Sequence, residues 1–81
     1  MVNLIDDWDA FEGYVGDKLG YYQLIDNGNG TFEIRVQSGK LGFKREYKKR
    51  DDAELKKIID FCDLKHFLKI SESVREDNFF K

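Results

Sequence analysis

The residues best suited to covalent or metal chemistry are Cys62 and His66, which lie four positions apart in the sequence. On a helix, this spacing would place the thiol and the imidazole on one face, as a nucleophile and its base or as ligands of one metal ion. A tetrahedral zinc site needs further ligands, however, and the chain contains a single Cys and a single His. Cys62 also belongs to an apolar helical stripe, where a free cysteine packs as a small hydrophobic residue. We therefore expect no catalytic or metal site at this pair.

Residues 26–30, Asp-Asn-Gly-Asn-Gly, have the composition of a calcium-binding loop. Such a loop needs side-chain oxygens at alternate positions and a distant Glu. The alternate positions after Asp26 are Gly28 and Gly30, which carry no side-chain oxygen. Asn-Gly pairs instead favour the positive φ angles of tight hairpins, so the segment predicts a turn between two strands. No other group of residues has the pattern of a catalytic site, and we expect neither enzymatic activity nor a cofactor.

Charge is segregated along the chain, although the net charge is only −2. Residues 1–17 carry carboxylates and no Lys or Arg, whereas residues 35–50 are rich in Lys and Arg. The acidic set comprises Asp6, Asp7, Asp9, Glu12 and Asp17. Clustered carboxylates can take the place of phosphates on a surface that normally binds nucleic acid. The alternative is that the acidic and basic segments neutralise each other within the fold.

Periodicity predicts a short helix near the N-terminus, at about residues 4–12. Its apolar stripe comprises Leu4, Trp8, Phe11 and Val15. Asn3 could cap this helix, and Gly13 and Gly16 limit its length. The stripe needs a partner, so we expect the helix to pack on another element.

Three segments rich in strand-forming residues follow, at residues 21–25, 31–36 and 42–49. The Asn-Gly loop joins the first two, and a Ser-Gly-Lys-Leu turn at residues 38–41 joins the last two, so we expect a three-stranded antiparallel sheet. Alternation assigns to the core face Tyr21, Gln23, Ile25, Phe32, Ile34, Val36, Phe43 and Tyr47, with Arg45 among them. It assigns to a charged face Arg35, Gln37, Lys44 and Lys48, with Tyr22 and Leu24 at its margin.

A longer helix is predicted from about residue 52, after a capping box formed by Asp51 and Glu54. One apolar stripe comprises Leu55, Ile58, Ile59 and Cys62, and a second comprises Phe61, Leu64, Phe67 and Leu68. Either the helix is apolar on two sides or it breaks near Asp63 and restarts. The first stripe would pack on the sheet, and the second would be covered by the N-terminal helix, a partner protein or a second copy. Beyond it, Val74, Phe79 and Phe80 indicate that the C-terminal segment is not wholly loose.

The predicted fold class is α+β, in one domain of residues 1–81. Aromatic residues make up 15% of the chain, which supplies a core and excludes a wholly disordered protein. The longest uncharged run, residues 19–25, is far shorter than the roughly 20 residues of a membrane span. The single Cys fits a reducing compartment, and early Asp residues exclude a signal peptide, so we expect a cytoplasmic protein.

Residues 30–62 carry a Gly-Thr-Phe-Glu-Ile-Arg-Val strand, a Gly-Lys turn, a Phe-Lys-Arg-Glu-Tyr-Lys strand and an Asp-Asp-Ala-Glu-Leu helix start. This order resembles the three-stranded DNA-binding domains of the AP2 and integrase-arm type, which lay their sheet in the major groove. The resemblance implies that Arg35, Lys44 and Lys48 face DNA, and the charged-face assignment adds Tyr22 and Gln37 to the candidate nucleic-acid-binding residues.

A second resemblance is one of type: small, acidic, proline-free chains with one cysteine resemble phage-encoded inhibitors such as anti-CRISPR proteins, which occupy a surface of a host protein. Our first hypothesis is a non-enzymatic regulator or inhibitor that binds a partner protein. It would use the acidic set, or the part of the second stripe formed by Phe61, Leu64 and Phe67. The alternative is a DNA-binding accessory protein that uses the charged sheet face, and a third possibility is a homodimer that buries the second stripe.

Overall fold

A computed structural model describes residues 2–70 and shows an α+β fold, which confirms the predicted class. Its elements are, in chain order, β1 (Asn3–Leu4), α1 (Trp8–Val15), β2 (Tyr21–Asp26), β3 (Phe32–Ser38), β4 (Leu41–Tyr47), α2 (Ala53–Leu64) and β5 (Leu68–Ile70). The predicted contributions of Val74, Phe79 and Phe80 lie outside the described residues.

The sheet has five strands in the order β1-β4-β3-β2-β5, so the predicted three-stranded sheet is wrong in its extent. The three central strands pair antiparallel, but β1 runs parallel to β4 and β5 runs parallel to β2. Each edge strand is only two or three residues long. Such short segments give no alternation pattern, which explains why the sequence did not indicate them.

Helix α1 begins at Trp8, later than predicted, because Asn3 and Leu4 belong to β1 and Asp7 is the N-cap. Leu4 pairs with Gly42 and is 46% exposed, so its predicted place in the helical stripe is wrong. The helix is capped by Asp7, not by Asn3, and the Asp7 carboxylate accepts a hydrogen bond from the backbone N–H of Asp9 at 3.0 Å. It ends at Gly16, whose φ of 55° is positive, and glycine adopts positive φ angles more readily than residues that carry a Cβ atom.

Helix α2 is capped by Asp52 rather than by the predicted Asp51. The Asp52 carboxylate accepts hydrogen bonds from the N–H groups of Glu54 and Leu55 at 2.9 and 3.4 Å. The helix ends at Leu64, close to the break predicted near Asp63, but the chain then continues as a strand and not as a second helix. His66 makes the reversal with a φ of 60°.

The predicted face of β2 is wrong. Tyr22 pairs with Val36 and Leu24 pairs with Ile34, which places Tyr22 and Leu24 on the helix-covered face, where they are 3% and 4% exposed. Tyr21, Gln23 and Ile25 therefore lie on the opposite face. The cause is the length of the connection, residues 27–31, which is odd and is closed by a hydrogen bond from the Asn27 N–H to the Thr31 carbonyl. The predicted face would require a loop of two or four residues, and a shift of one residue reverses every side chain of a strand.

Both helices pack on one face of the sheet and share one apolar core. Its fully buried members include Phe11, Ile34, Val36, Phe43, Leu55, Ile58 and Cys62. Trp8 joins the layers, since its ring lies 5.2 Å from that of Phe43 on the sheet and 5.3 Å from that of Phe61 on α2. Helix α1 therefore covers part of the second stripe of α2. Within residues 2–70, neither helix has the length and apolar character needed to cross a membrane.

Candidate protein-binding site

The acidic set does not form one surface. Asp7 is occupied as the cap of α1, and Asp9 approaches the Lys57 ammonium of α2 at 3.5 Å. Asp6 is exposed at the start of α1, and Asp17 is exposed beyond its end. Of the acidic set, only Glu12 lines the groove between the two helices. The predicted acidic surface is thus divided by the geometry of α1, on which successive residues point in different directions.

The predicted apolar set is also divided. Phe67 is buried, and Phe61 is half-buried with its ring edge-on to Trp8 and, at 6.2 Å, to Phe67. Leu64 is 81% exposed, more than any other large hydrophobic side chain in residues 2–70. Helix α1 therefore covers the stripe up to Phe61 and leaves Leu64 in water.

A groove of about 580 Å³ brings members of the two sets together. It is lined by Glu12, Ala53, Lys56, Lys57, Asp60, Phe61 and Leu64. Phe61 and Leu64 are the large apolar side chains of this lining, and Glu12 and Asp60 contribute carboxylates to it. An apolar contact area bordered by charges is the usual composition of a protein-binding surface.

Two of the cations near the groove are engaged within the molecule, whereas Lys56, which also lines it, is exposed. Lys57 faces Asp9, and the Lys65 ammonium donates to the Gly16 carbonyl at 2.7 Å while it lies 5.9 Å from the centre of the Phe61 ring. Within the described part of the chain, the carboxylates of Glu12 and Asp60 have neither a hydrogen bond nor an ion pair. The groove therefore presents, together with the exposed Lys56 ammonium, two carboxylates that an incoming cation can pair with.

The predicted nucleic-acid-binding residues do not share one exposed surface. Tyr22 lies in the core, on the other side of the sheet from Arg35. The Arg35 guanidinium pairs with Glu33 at 2.5 Å and its side chain is only 14% exposed. Gln37 donates to the Gly39 carbonyl at 3.2 Å, which leaves Lys44 and Lys48 as the fully exposed members of the set.

An ion pair that sequence reasoning missed joins the sheet to the start of α2. The Glu54 carboxylate accepts hydrogen bonds from the Tyr47 hydroxyl and, at 2.7 Å, from the Arg45 guanidinium, which also donates to the Asp6 carbonyl. The hydrogen bond from Tyr47 and the nearby Arg45 charge hold the pKa of Glu54 below its usual value, against the effect of burial. Burial raises the pKa of Tyr47, and Glu54 raises it further. One feature of the sequence indicates this cluster, because Arg45 interrupts the apolar alternation of β4.

The Cys62 and His66 pair is not assembled for chemistry. Cys62 is fully buried within α2, and burial raises the pKa of its thiol to about 12, so it stays protonated. His66 is exposed beyond the helix end. Among residues 2–70, no group of three or more His, Cys, Asp or Glu side chains is arranged to hold a metal ion.

The chain has no match among protein-family models, curated proteins or solved structures. Similarity to a known protein therefore gives no functional assignment.

Proposed function

We propose that this protein is a non-enzymatic regulator or inhibitor that acts by binding a partner protein in the groove between α1 and α2. The observation that carries the proposal is the position of Leu64, which is exposed in water and lines the same groove as Phe61, Glu12 and Asp60. Occupying a surface is sufficient for such a protein to act, because a partner whose ligand site is covered is inhibited without any chemistry.

The exposure of Leu64 is not needed for folding. The buried residues of α2 are Leu55, Ile58 and Cys62, and Leu64 projects from the opposite side of the helix. A polar side chain at this position would serve the fold equally well. Full burial of a leucine side chain is worth roughly 1.5–3 kcal/mol, so a partner that covered Leu64 would gain binding free energy from it.

The two carboxylates add specificity to this apolar contact. A partner that places a Lys or Arg near its own apolar side chain would pair with Glu12 or Asp60 when Leu64 is buried. Proteins with a nucleic-acid-binding surface carry such cations. The groove carboxylates would then take the place of phosphates on that surface. Inhibitors of the anti-CRISPR type, which this chain resembles in type, can act in this way.

Site-specific photocrosslinking tests the proposal. The photoreactive residue benzoylphenylalanine, placed at the position of Leu64, should form a discrete covalent adduct with a partner in a lysate of the natural host. The same residue at the position of Tyr14 is a matched control, because Tyr14 is 60% exposed but does not line the groove. We expect an adduct from position 64 that is absent from position 14.

Competition separates specific from incidental capture. Unlabelled wild-type protein should prevent the adduct, and the Leu64→Glu variant should not. The Leu19→Glu variant should compete as well as wild type, since Leu19 is 65% exposed and lies outside the groove. Adducts that are equal at positions 64 and 14, or competition by Leu64→Glu, would show that the groove is not the binding site.

Binding of DNA by the charged sheet face stays a prediction from the sequence. Lys44 and Lys48 are its exposed members. Because Arg35 is already paired with Glu33, the charged face offers fewer cations to DNA, which favours the groove as the functional surface. A mobility-shift assay with duplex DNA at low and moderate salt tests it. A shift that persists at moderate salt and is lost in Lys44→Ala would favour DNA binding over the proposal made here.

A further inference from the structure

The outer edge of β4 is only partly covered. Strand β1 reaches Leu41 and Gly42, through hydrogen bonds from the Asn3 N–H to the Lys40 carbonyl and from the Ile5 N–H to the Gly42 carbonyl, both 2.7 Å long. Because the backbone groups of alternate residues point to opposite sides of a strand, those of Lys44 and Glu46 point outward like those of Gly42. Among residues 2–70, no strand pairs with β4 beyond Gly42 on this side.

At this open edge, the side chains of Lys44 and Glu46 each lie opposite a β3 residue of the same charge. Lys44 is paired in register with Arg35, and Glu46 is paired with Glu33. Like charges directly opposite each other on neighbouring strands are destabilising. Glu33 and Arg35 pair with each other along β3, whereas Lys44 and Glu46 have no ion pair with any described residue.

We propose that this edge pairs with the same edge of a second copy, antiparallel, about a two-fold axis beside Arg45. In that register, Lys44 of each copy lies opposite Glu46 of the other, and the two residues exchange backbone hydrogen bonds. Each open N–H and C=O group of the edge is then paired, and each charge meets its opposite. Charged side chains usually protect an edge against pairing with another chain, but Lys44 and Glu46 of this edge are complementary to the same two residues of a second copy.

The neighbouring residues are compatible with this arrangement. Arg45 of each copy would lie near the axis, but its guanidinium is turned back over Phe43, at 5.1 Å from the ring centre, and is bound to Glu54 and to the Asp6 carbonyl of its own chain. The chain bends away after Tyr47, and β1 ends at Leu4, so the pairing is limited to residues 44–46. The groove between α1 and α2 is built from other residues, so the dimer does not depend on the proposed function.

Sedimentation equilibrium of the full chain from micromolar to millimolar concentration tests this proposal, with charge reversal as the probe. We expect a reversible dimer for wild type and at least roughly tenfold weaker association for Lys44→Glu and for Glu46→Lys, which bring like charges together across the axis. The double variant Lys44→Glu/Glu46→Lys exchanges the two charges and should restore the dimer.

Unfolding measurements on dilute protein test whether the single variants associate more weakly because they are misfolded. Lys44→Glu places a carboxylate opposite Arg35, and Glu46→Lys places an ammonium opposite Glu33, so each single variant should be as stable as the wild-type monomer or more so. A wild-type protein that stays monomeric at millimolar concentration would overturn the proposal. So would a dimer that is insensitive to the single reversals, or a double variant that stays monomeric.

Discussion

The hydroxyl of Tyr22 donates a hydrogen bond to the carboxylate of Asp63 at 2.6 Å, which joins β2 to the last turn of α2. Tyr22 is 3% exposed, so its ring belongs to the core while its hydroxyl reaches the exposed end of the helix. This contact exists because the odd-length connection to β3 turns Tyr22 towards the helices. It therefore provides a direct test of the face assignment of β2.

Removing the Tyr22 hydroxyl should reduce stability modestly. Tyr22→Phe keeps the buried ring but loses the hydrogen bond, and we expect the free energy of unfolding to fall by about 1 kcal/mol. Chemical denaturation measures the change. Tyr14→Phe is the control, since Tyr14 is 60% exposed and its change should be close to zero. Equal effects of the two substitutions would contradict the placement of Tyr22 in the core.

Stability at acid pH should depend on Glu54. Its pKa is below the usual 4.5 in the folded protein, because it accepts a hydrogen bond from Tyr47 and lies beside Arg45. The folded state therefore binds fewer protons than the unfolded state, and stability present above about pH 4.5 is lost as the pH falls through the lower folded pKa. The side chain is 41% exposed, which limits this contribution to less than about 1 kcal/mol.

Denaturation curves between neutral and acid pH measure this contribution. Glu54→Gln should be less stable than wild type at neutral pH and should lose less stability on acidification. Glu12→Gln is the control, since Glu12 has no ion pair with a described residue. If Glu54→Gln and wild type lost the same stability on acidification, the ion pair would make no contribution.

Two glycines should respond to alanine in opposite directions. A Cβ atom at Gly20 would lie 2.0 Å from the carbonyl oxygen of Gln37, a backbone atom that cannot move without separating β2 from β3. We expect Gly20→Ala to cost roughly 2 kcal/mol or more. Gly13 lies within α1 with no atom near its Cβ position, so Gly13→Ala should stabilise the protein by roughly 0.5–1 kcal/mol. Thermal unfolding distinguishes the two, and a stable Gly20→Ala variant would contradict the close approach of the strands.

The Cys62 thiol should be unreactive in the folded protein. It is fully buried and its pKa is raised to about 12, so both access and the thiolate fraction are low at mildly alkaline pH. Reaction with a thiol reagent should be slow in buffer and rapid in denaturant. A fast reaction without denaturant would show that α2 opens readily from the sheet.

The sequence predicted those parts of the fold that depend on local patterns. Ile34, Val36 and Phe43 were assigned to one face of two strands from their alternation, and all three are fully buried there. Helix α2 was predicted from its stripe and cap to within one residue at its start. These signals are strong because each is contained within a few neighbouring residues.

The remaining parts depend on interactions that local patterns do not contain. The face of β2 depends on whether the loop before β3 has an odd or an even number of residues. The segments β1 and β5 are strands only because they pair with β4 and β2, which are distant in the sequence. The groove likewise depends on packing between segments that are distant in the sequence. Glu12 and Leu64 were predicted to belong to two separate surfaces, and the groove between α1 and α2 brings them together.

The order of the sheet has a consequence for folding kinetics. The central strands are neighbours in sequence and can form early, whereas β1 joins β4 and β5 joins β2 only after long stretches of chain have been ordered. We expect the edge strands to be unformed in the transition state for folding. Substitutions in β5 should then accelerate unfolding with little effect on the refolding rate, and the amide hydrogens of β1 and β5 should exchange before those of the central strands.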